Sequence, residues 1–107
     1  MSWRISFYNE KVKSKALALP KGILASFLRT LELLEEFGPG IGMPHVRSVG
    51  KGLFEVRARG REGFGRALYY VMPGRELVIV SVFTKKSQKT PLKEIRLARR
   101  RMKQVAK

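Results

Sequence analysis

Between Gly52 and Gln88 three strand-like runs are joined by turns so short that each run must reverse the direction of the last. In Leu53-Phe54-Glu55-Val56-Arg57-Ala58-Arg59, strict alternation puts Phe54, Val56 and Ala58 on one side and Glu55, Arg57 and Arg59 on the other. Gly60 to Gly65 reads as the first turn, Arg66 to Met72 as the returning strand and Pro73-Gly74-Arg75 as the second turn. Glu76 to Phe83 is a Val/Ile-rich run suited to a central strand. The pattern predicts three consecutive antiparallel strands with a cationic face, because Arg57, Arg59, Arg66, Lys85 and Lys86 recur among the apolar residues.

The flanking segments supply layers to cover such a sheet. Trp3 to Tyr8 alternates Trp3, Ile5 and Phe7 with Arg4, Ser6 and Tyr8, as an opening strand would. Asn9 to Ala18 suits a short helix ending before Pro20. From Pro20 to Phe37, the residues Ile23, Leu24, Phe27, Leu28, Leu31, Leu34 and Phe37 recur at helical spacing, with Pro20 in the first turn. Gly38-Pro39-Gly40 stops this helix, and a loop through Gly42, Met43 and Pro44 leads to the sheet. Thr90 as N-cap and Pro91 at the first helical position open a last helix. Leu92, Ile95, Ala98, Met102 and Val105 form its thin apolar stripe, and Arg96, Arg100, Lys103 and Lys107 form a positive ridge.

A chain of 107 residues, 44% of them hydrophobic, suits a single domain over 1–107 with one core. Its 23 basic and 8 acidic groups leave a net charge of +15, which points to a polyanionic partner. From Thr84 onward stand 10 of those basic groups and 1 of the acidic ones, making the last quarter the electrostatic pole. No stretch approaches the ~18 apolar residues of a membrane span, and the first residues carry no apolar leader, so a cytoplasmic protein without membrane association is expected. The absence of cysteine removes disulfides, thiolate nucleophiles and Cys-based metal centres.

Metal chemistry has little to build on: there is one histidine, no aspartate and no carboxylate cluster with ligand spacing, so neither metal nor cofactor is expected. His45, beside Pro44, fits a loop role better than catalysis. Gly38, Gly40 and Gly42 follow a helix, whereas phosphate-binding loops follow a strand, so they read as turn residues. Glu55 either pairs with a neighbouring arginine and orients it, or forms a plain cross-strand ion pair. The basic residues remain. Cleavage of RNA needs a base to take the 2′-hydroxyl proton and cations to neutralise the pentavalent intermediate. Arginine suits the second task, and a lysine crowded by like charge, as Lys85 is by Lys86 and Lys89, suits the first. Composition alone favours an RNA-binding patch over turnover.

Four stretches in order resemble a known group: Leu19-Pro20 before a helix, Gly52-Leu53-Phe54-Glu55-Val56-Arg57, Gly65-Arg66-Ala67-Leu68-Tyr69-Tyr70, and Phe83-Thr84-Lys85-Lys86-Ser87-Gln88-Lys89-Thr90-Pro91. The resemblance is to the HigB-like, phage-derived branch of the RelE/ParE toxin superfamily, and it runs from about Ile5 to Met102. It implies an α+β fold: a small antiparallel or mixed β-sheet, N-terminal helices packed on one face, and a C-terminal helix. It also implies the toxin of a type II toxin–antitoxin system. Such a toxin is an mRNA interferase, a metal-independent endoribonuclease working on mRNA at the ribosome, and it is silenced by a helix-turn-helix antitoxin. Carried over by motif, Arg57 and Arg66 would stabilise the scissile phosphate, and Lys85 and Lys86 would supply base or electrostatic functions. Glu55 would support them, while Arg47, Arg59 and Lys89 would position RNA together with the ridge of Arg96, Arg100 and Lys103. Many relatives use a Tyr or His near the C-terminus for proton transfer, but here the last Tyr is Tyr70 and the only His is His45. Either a lysine takes that task, or this member cleaves slowly or not at all. The same scaffold hosts gyrase-directed toxins, which is the alternative reading beside a non-catalytic RNA-binding domain.

Overall fold

The computed structural model describes residues 2–85 and 89–105. The chain runs β1 (Arg4–Phe7), α1 (Glu10–Leu17), α2 (Lys21–Phe37), a 3₁₀ turn at Pro39–Ile41, β2 (Val46–Gly50), β3 (Leu53–Gly60), β4 (Gly63–Met72), β5 (Glu76–Lys85) and α3 (Leu92–Val105). The five strands form one sheet in the order β1-β5-β4-β3-β2; β1 lies parallel to β5 and every other pair is antiparallel. This is the expected α+β architecture with a mixed sheet.

Each face of the sheet has its own core. On one side Val56, Ala58, Ala67, Tyr69, Leu77, Ile79 and Val82 pack against Val12 and Ala16 of α1 and Ile23, Phe27 and Leu34 of α2. On the other, Leu53, Leu68, Tyr70, Val78, Val80 and Phe83 meet Ala98 of α3. The last helix therefore covers the face opposite the first two. Its predicted stripe is only partly used, since Ala98 is buried while Leu92 remains 64% exposed.

Helix starts follow local chemistry. Asn9 Oδ1 accepts from Val12 N at 2.8 Å and caps α1. Pro20 occupies the cap position of α2 rather than its first turn and offers no side-chain acceptor. The Glu62 carboxylate, from the β3–β4 turn, accepts from Gly22 N at 3.0 Å in its place. That bond, with further backbone N–H groups, holds the Glu62 carboxyl below its ordinary range. The turn and the helix approach backbone to backbone: a Cβ on Gly60 would stand 2.5 Å from Ile23 N.

Three expectations change. Val46–Gly50 forms β2 and pairs with β3, where the sequence suggests only loop. The first hairpin turns through Arg61 and Glu62 alone, with Gly60 opposite Gly63, so Phe64 belongs to β4 instead of a longer turn. In β5 the register shifts by one residue, with Leu68 opposite Ser81 and Tyr69 opposite Ile79, leaving Val80 as the extra residue of a bulge. The bulge changes parity. Before it, Val78 and Val80 face α3; after it, Phe83 does so, opposite Arg66, and Lys85 stands opposite Phe64.

Tyr69 is fully buried and stacked on Phe54 with ring centroids 5.5 Å apart, and its hydroxyl finds no hydrogen-bond partner among the described residues. Burial pushes its phenol well above the usual tyrosine range. Tyr69→Phe should therefore leave stability unchanged or raise it by up to about 1 kcal/mol, as urea unfolding would measure, because an unsatisfied polar atom is removed with no loss of packing.

Candidate functional site

On the α3 face, the register of β2, β3, β4 and β5 sets Arg47 opposite Glu55, Arg57 opposite Arg66 and Arg59 opposite Phe64, with Phe64 in turn opposite Lys85. Alternation alone would gather these side chains on one surface. Their hydrogen bonds give the surface its order.

Glu55 is the hub, with 1% of its surface exposed. Arg47 Nε donates to its Oε1 at 3.3 Å, Arg66 Nε lies 3.8 Å from the same oxygen, and the Thr90 hydroxyl donates to Oε2. Glu55 thus forms a cross-strand ion pair with Arg47, while Arg66 Nε stands near it without a hydrogen-bond partner among the described residues. The Thr90 hydroxyl donates to Glu55, and α3 begins at Leu92, one residue later than expected, with Pro91 O accepting from Glu94 N at 3.1 Å and Ile95 N at 3.4 Å.

Arg66 is 2% exposed. Its Nη1 donates to Gly65 O at 2.9 Å and Ala58 O at 3.3 Å, which locks the guanidinium in place. Burial, opposed by Glu55 and reinforced by Arg57 and Arg47, lowers its affinity for the proton. Lys85 is half-exposed as a residue, yet its Nζ is covered and has no hydrogen-bond partner among the described residues. Desolvation first, and then the neighbouring charge of Arg66, lowers its pKa below that of an ordinary lysine, with Arg47 and Arg57 adding to the effect and Glu55 opposing it. Two cations, Arg47 and Arg66, thus share one buried carboxylate, and Lys85 lies within reach of the same charges.

Arg57 is half-buried on β3; its backbone N–H donates to His45 O at 2.9 Å and its Nη1 approaches Met43 Sδ at 3.4 Å. Arg59 is exposed, with its guanidinium carbon 5.7 Å from the centre of the Phe64 ring, and Arg66 lies 5.2 Å from the same centre. Lys89, Arg96, Arg100 and Lys103 are exposed, the last three along α3. Lys86 and Lys107 lie outside the described residues.

Two arginines that charge patterning does not single out tie α3 to the sheet. Arg99 donates to Val49 O at 3.1 Å and Gly50 O at 3.3 Å, at the end of β2. Arg101 donates to Val80 O, the bulge carbonyl, at 2.6 Å and lies over the Tyr8 ring. Ser81 adds a bond to Glu94 at 2.9 Å, and Tyr8 donates to Gln104. Charge count cannot separate these docking arginines from the exposed ridge. Helical phase can, since Arg99 and Arg101 flank Arg100.

A pocket of about 390 Å³ opens at the edge of β3 beside this surface, lined by Ser26, His45, Arg57, Arg59, Phe64 and Arg66 among others. Phe64 and His45 read from sequence as turn and loop residues, and the pocket gives both a setting beside the cations. No group of three or more His, Cys, Asp or Glu residues among those described could hold a metal ion, and no helix there is long and apolar enough to cross a membrane.

A search of curated proteins found no match to the chain. A family model described as phage-derived protein Gp49-like matches residues 15–103, taking in α2, β2 to β5 and nearly all of α3. The matched span holds the Glu55 hub and every cation around it, so this chain belongs to the phage-derived Gp49-like family, within the RelE/ParE-like toxin superfamily.

Proposed function

We propose that this protein is a HigB-like toxin of a type II toxin–antitoxin pair and that it cleaves mRNA on the ribosome without a metal ion. The observation that carries this reading is the cluster of Arg47, Arg57, Arg66 and Lys85 around a single buried carboxylate. Cations beside a lysine of lowered pKa supply charge neutralisation and a base, two things that phosphodiester transfer uses.

In the proposed reaction Lys85, in its neutral form, removes the proton from a 2′-hydroxyl. The 2′-oxygen bonds to the adjacent phosphorus and the bond to the 5′-oxygen breaks, with water supplying that leaving group's proton. The products are a 2′,3′-cyclic phosphate and a 5′-hydroxyl. Arg57 meets the charge that develops on the phosphoryl oxygens, and Arg66, held by two carbonyls with Glu55 nearby, reinforces the field from beneath. Lys86, next along the chain, adds positive charge. Since Lys85 Nζ is covered in the free protein, RNA binding has to displace the atoms over it. Arg47, Arg59 and Lys89 hold flanking phosphates, and Arg96, Arg100 and Lys103 extend the track along α3. A cognate helix-turn-helix antitoxin would silence the protein in the cytoplasm.

The test is induced expression in a bacterial host followed by primer extension across a translated transcript, comparing wild type with Arg57→Ala. Growth arrest with discrete cuts in the wild type alone supports the reading. Arrest without cuts, accompanied by DNA breaks, replaces it with a gyrase-directed toxin, and no arrest replaces it with RNA binding without turnover.

The ridge on α3 has its own signature. Changing Arg100 and Lys103 together to alanine should reduce the slope of log affinity for single-stranded RNA against log salt by about 1.4, at roughly 0.7 for each phosphate no longer neutralised. Anisotropy titrations across a salt series would measure it, and an unchanged slope would remove the ridge from the binding surface.

A further inference from the structure

The pocket at the edge of β3 has a mixed lining that a phosphate alone would not need. Beside Arg57 and Arg59 stand an aromatic ring, Phe64, and the ring-bearing pair Pro44 and His45. Its volume of about 390 Å³ lies in the ~300–1,000 Å³ range of small-ligand sites. The edge itself is closed to a peptide strand: Arg57 N–H is already taken by His45 O at 2.9 Å, and Arg59 N–H by Ser26 Oγ at 3.0 Å. Recognition there must run through side chains.

Phe64 is half-buried and has guanidinium groups 5.7 and 5.2 Å from its ring centre, so cationic planes and an aromatic plane already lie together at the wall. A flat π-system carrying an anionic group on a short tether complements both halves of that lining, and a nucleotide has this form. We propose that the pocket is a nucleobase subsite, in which one base of single-stranded RNA packs on Phe64, faces Pro44 and His45, and leaves its phosphate on Arg57. The inference rests on RNA being the ligand of the cationic face. It makes Phe64 and His45 determinants of which nucleotide is held there.

The probes are 5′-AMP, 5′-UMP and ribose 5-phosphate, titrated into the wild-type protein and followed by NMR at the ring resonances of Phe64 and His45. Both nucleotides should shift these resonances saturably, with different affinities, and ribose 5-phosphate should not. Phe64→Leu should weaken nucleotide binding by about tenfold or more and leave ribose 5-phosphate binding unchanged. Equal binding of all three probes, or none, with the ring resonances still, would overturn the subsite and leave a phosphate site at most. His45→Ala gives the same comparison should Phe64→Leu fail to fold. The subsite and the cleavage reaction can fail separately: base-dependent shifts in a protein that cuts no transcript would uphold the first and reject the second.

Discussion

Glu55→Ala should lower the free energy of unfolding by about 3–5 kcal/mol, the cost of leaving a buried charge without its counter-ion. Arg66 would stay in place at 2% exposure with its Nε facing no carboxylate, and Thr90 would lose its acceptor. A loss that large rivals truncation of the core residue Phe27, for which about 3–5 kcal/mol is also expected. Arg66→Ala should cost less than Glu55→Ala, because Glu55 keeps Arg47 and Thr90 when Arg66 is gone. Glu55→Gln should fall between wild type and Glu55→Ala, since an amide oxygen can still accept from Thr90 but cannot neutralise the arginines. Urea denaturation of the four proteins measures the order, and an Arg66→Ala protein less stable than Glu55→Ala would remove Glu55 from the centre of the arrangement.

Lys85→Met should do the opposite to stability and slow cleavage. The ammonium is covered and unpaired among the described residues, and its pKa is lowered by desolvation and by Arg66, so folding disfavours its charged form. Between the lowered folded pKa and the ordinary lysine value the unfolded chain binds the extra proton, so wild-type stability rises as pH rises through that window. Lys85→Met lacks this dependence and should be the more stable protein at neutral pH. If Lys85 is the base, its loss should cost about 10²–10⁴ in the cleavage rate. The wild-type rate should climb with pH to an inflection below that of a free lysine, and the variant should show no such limb. A wild-type rate flat across that window would assign proton removal to another group.

The elements that carry long, regular patterns are legible in the chain: α2 from its apolar recurrence, β3 from alternation, β5 from its Val/Ile-rich run, and the cationic face from the phase of Arg57 and Arg59. β2 is not, because Val46-Arg47-Ser48-Val49-Gly50 is short and breaks alternation with two polar residues in succession, and it is a strand chiefly by pairing with β3. Phase also says which face a residue takes without saying what covers it. The burial of Arg66 depends on the cluster that Thr90 completes from 35 residues beyond Glu55, a separation that no local window spans. Phe64 is hidden by its glycine neighbours, which imitate a turn, although pairing Gly60 with Gly63 sets it opposite Arg59. The bulge at Val80 has no compositional mark in a run of valines and isoleucine.

The parallel pairing of β1 with β5 has a consequence in time. Ser6 bonds to Glu76 across 70 residues, so β1 has no partner in the sheet until β5 exists. Closing so long a loop is slow compared with forming the β3–β4–β5 meander, which needs only local reversals. Thr90 and α3 come later still, and without them the Glu55 hub is unfinished. The cationic site therefore cannot assemble on a growing chain until Thr90 and α3 have been added to the sheet.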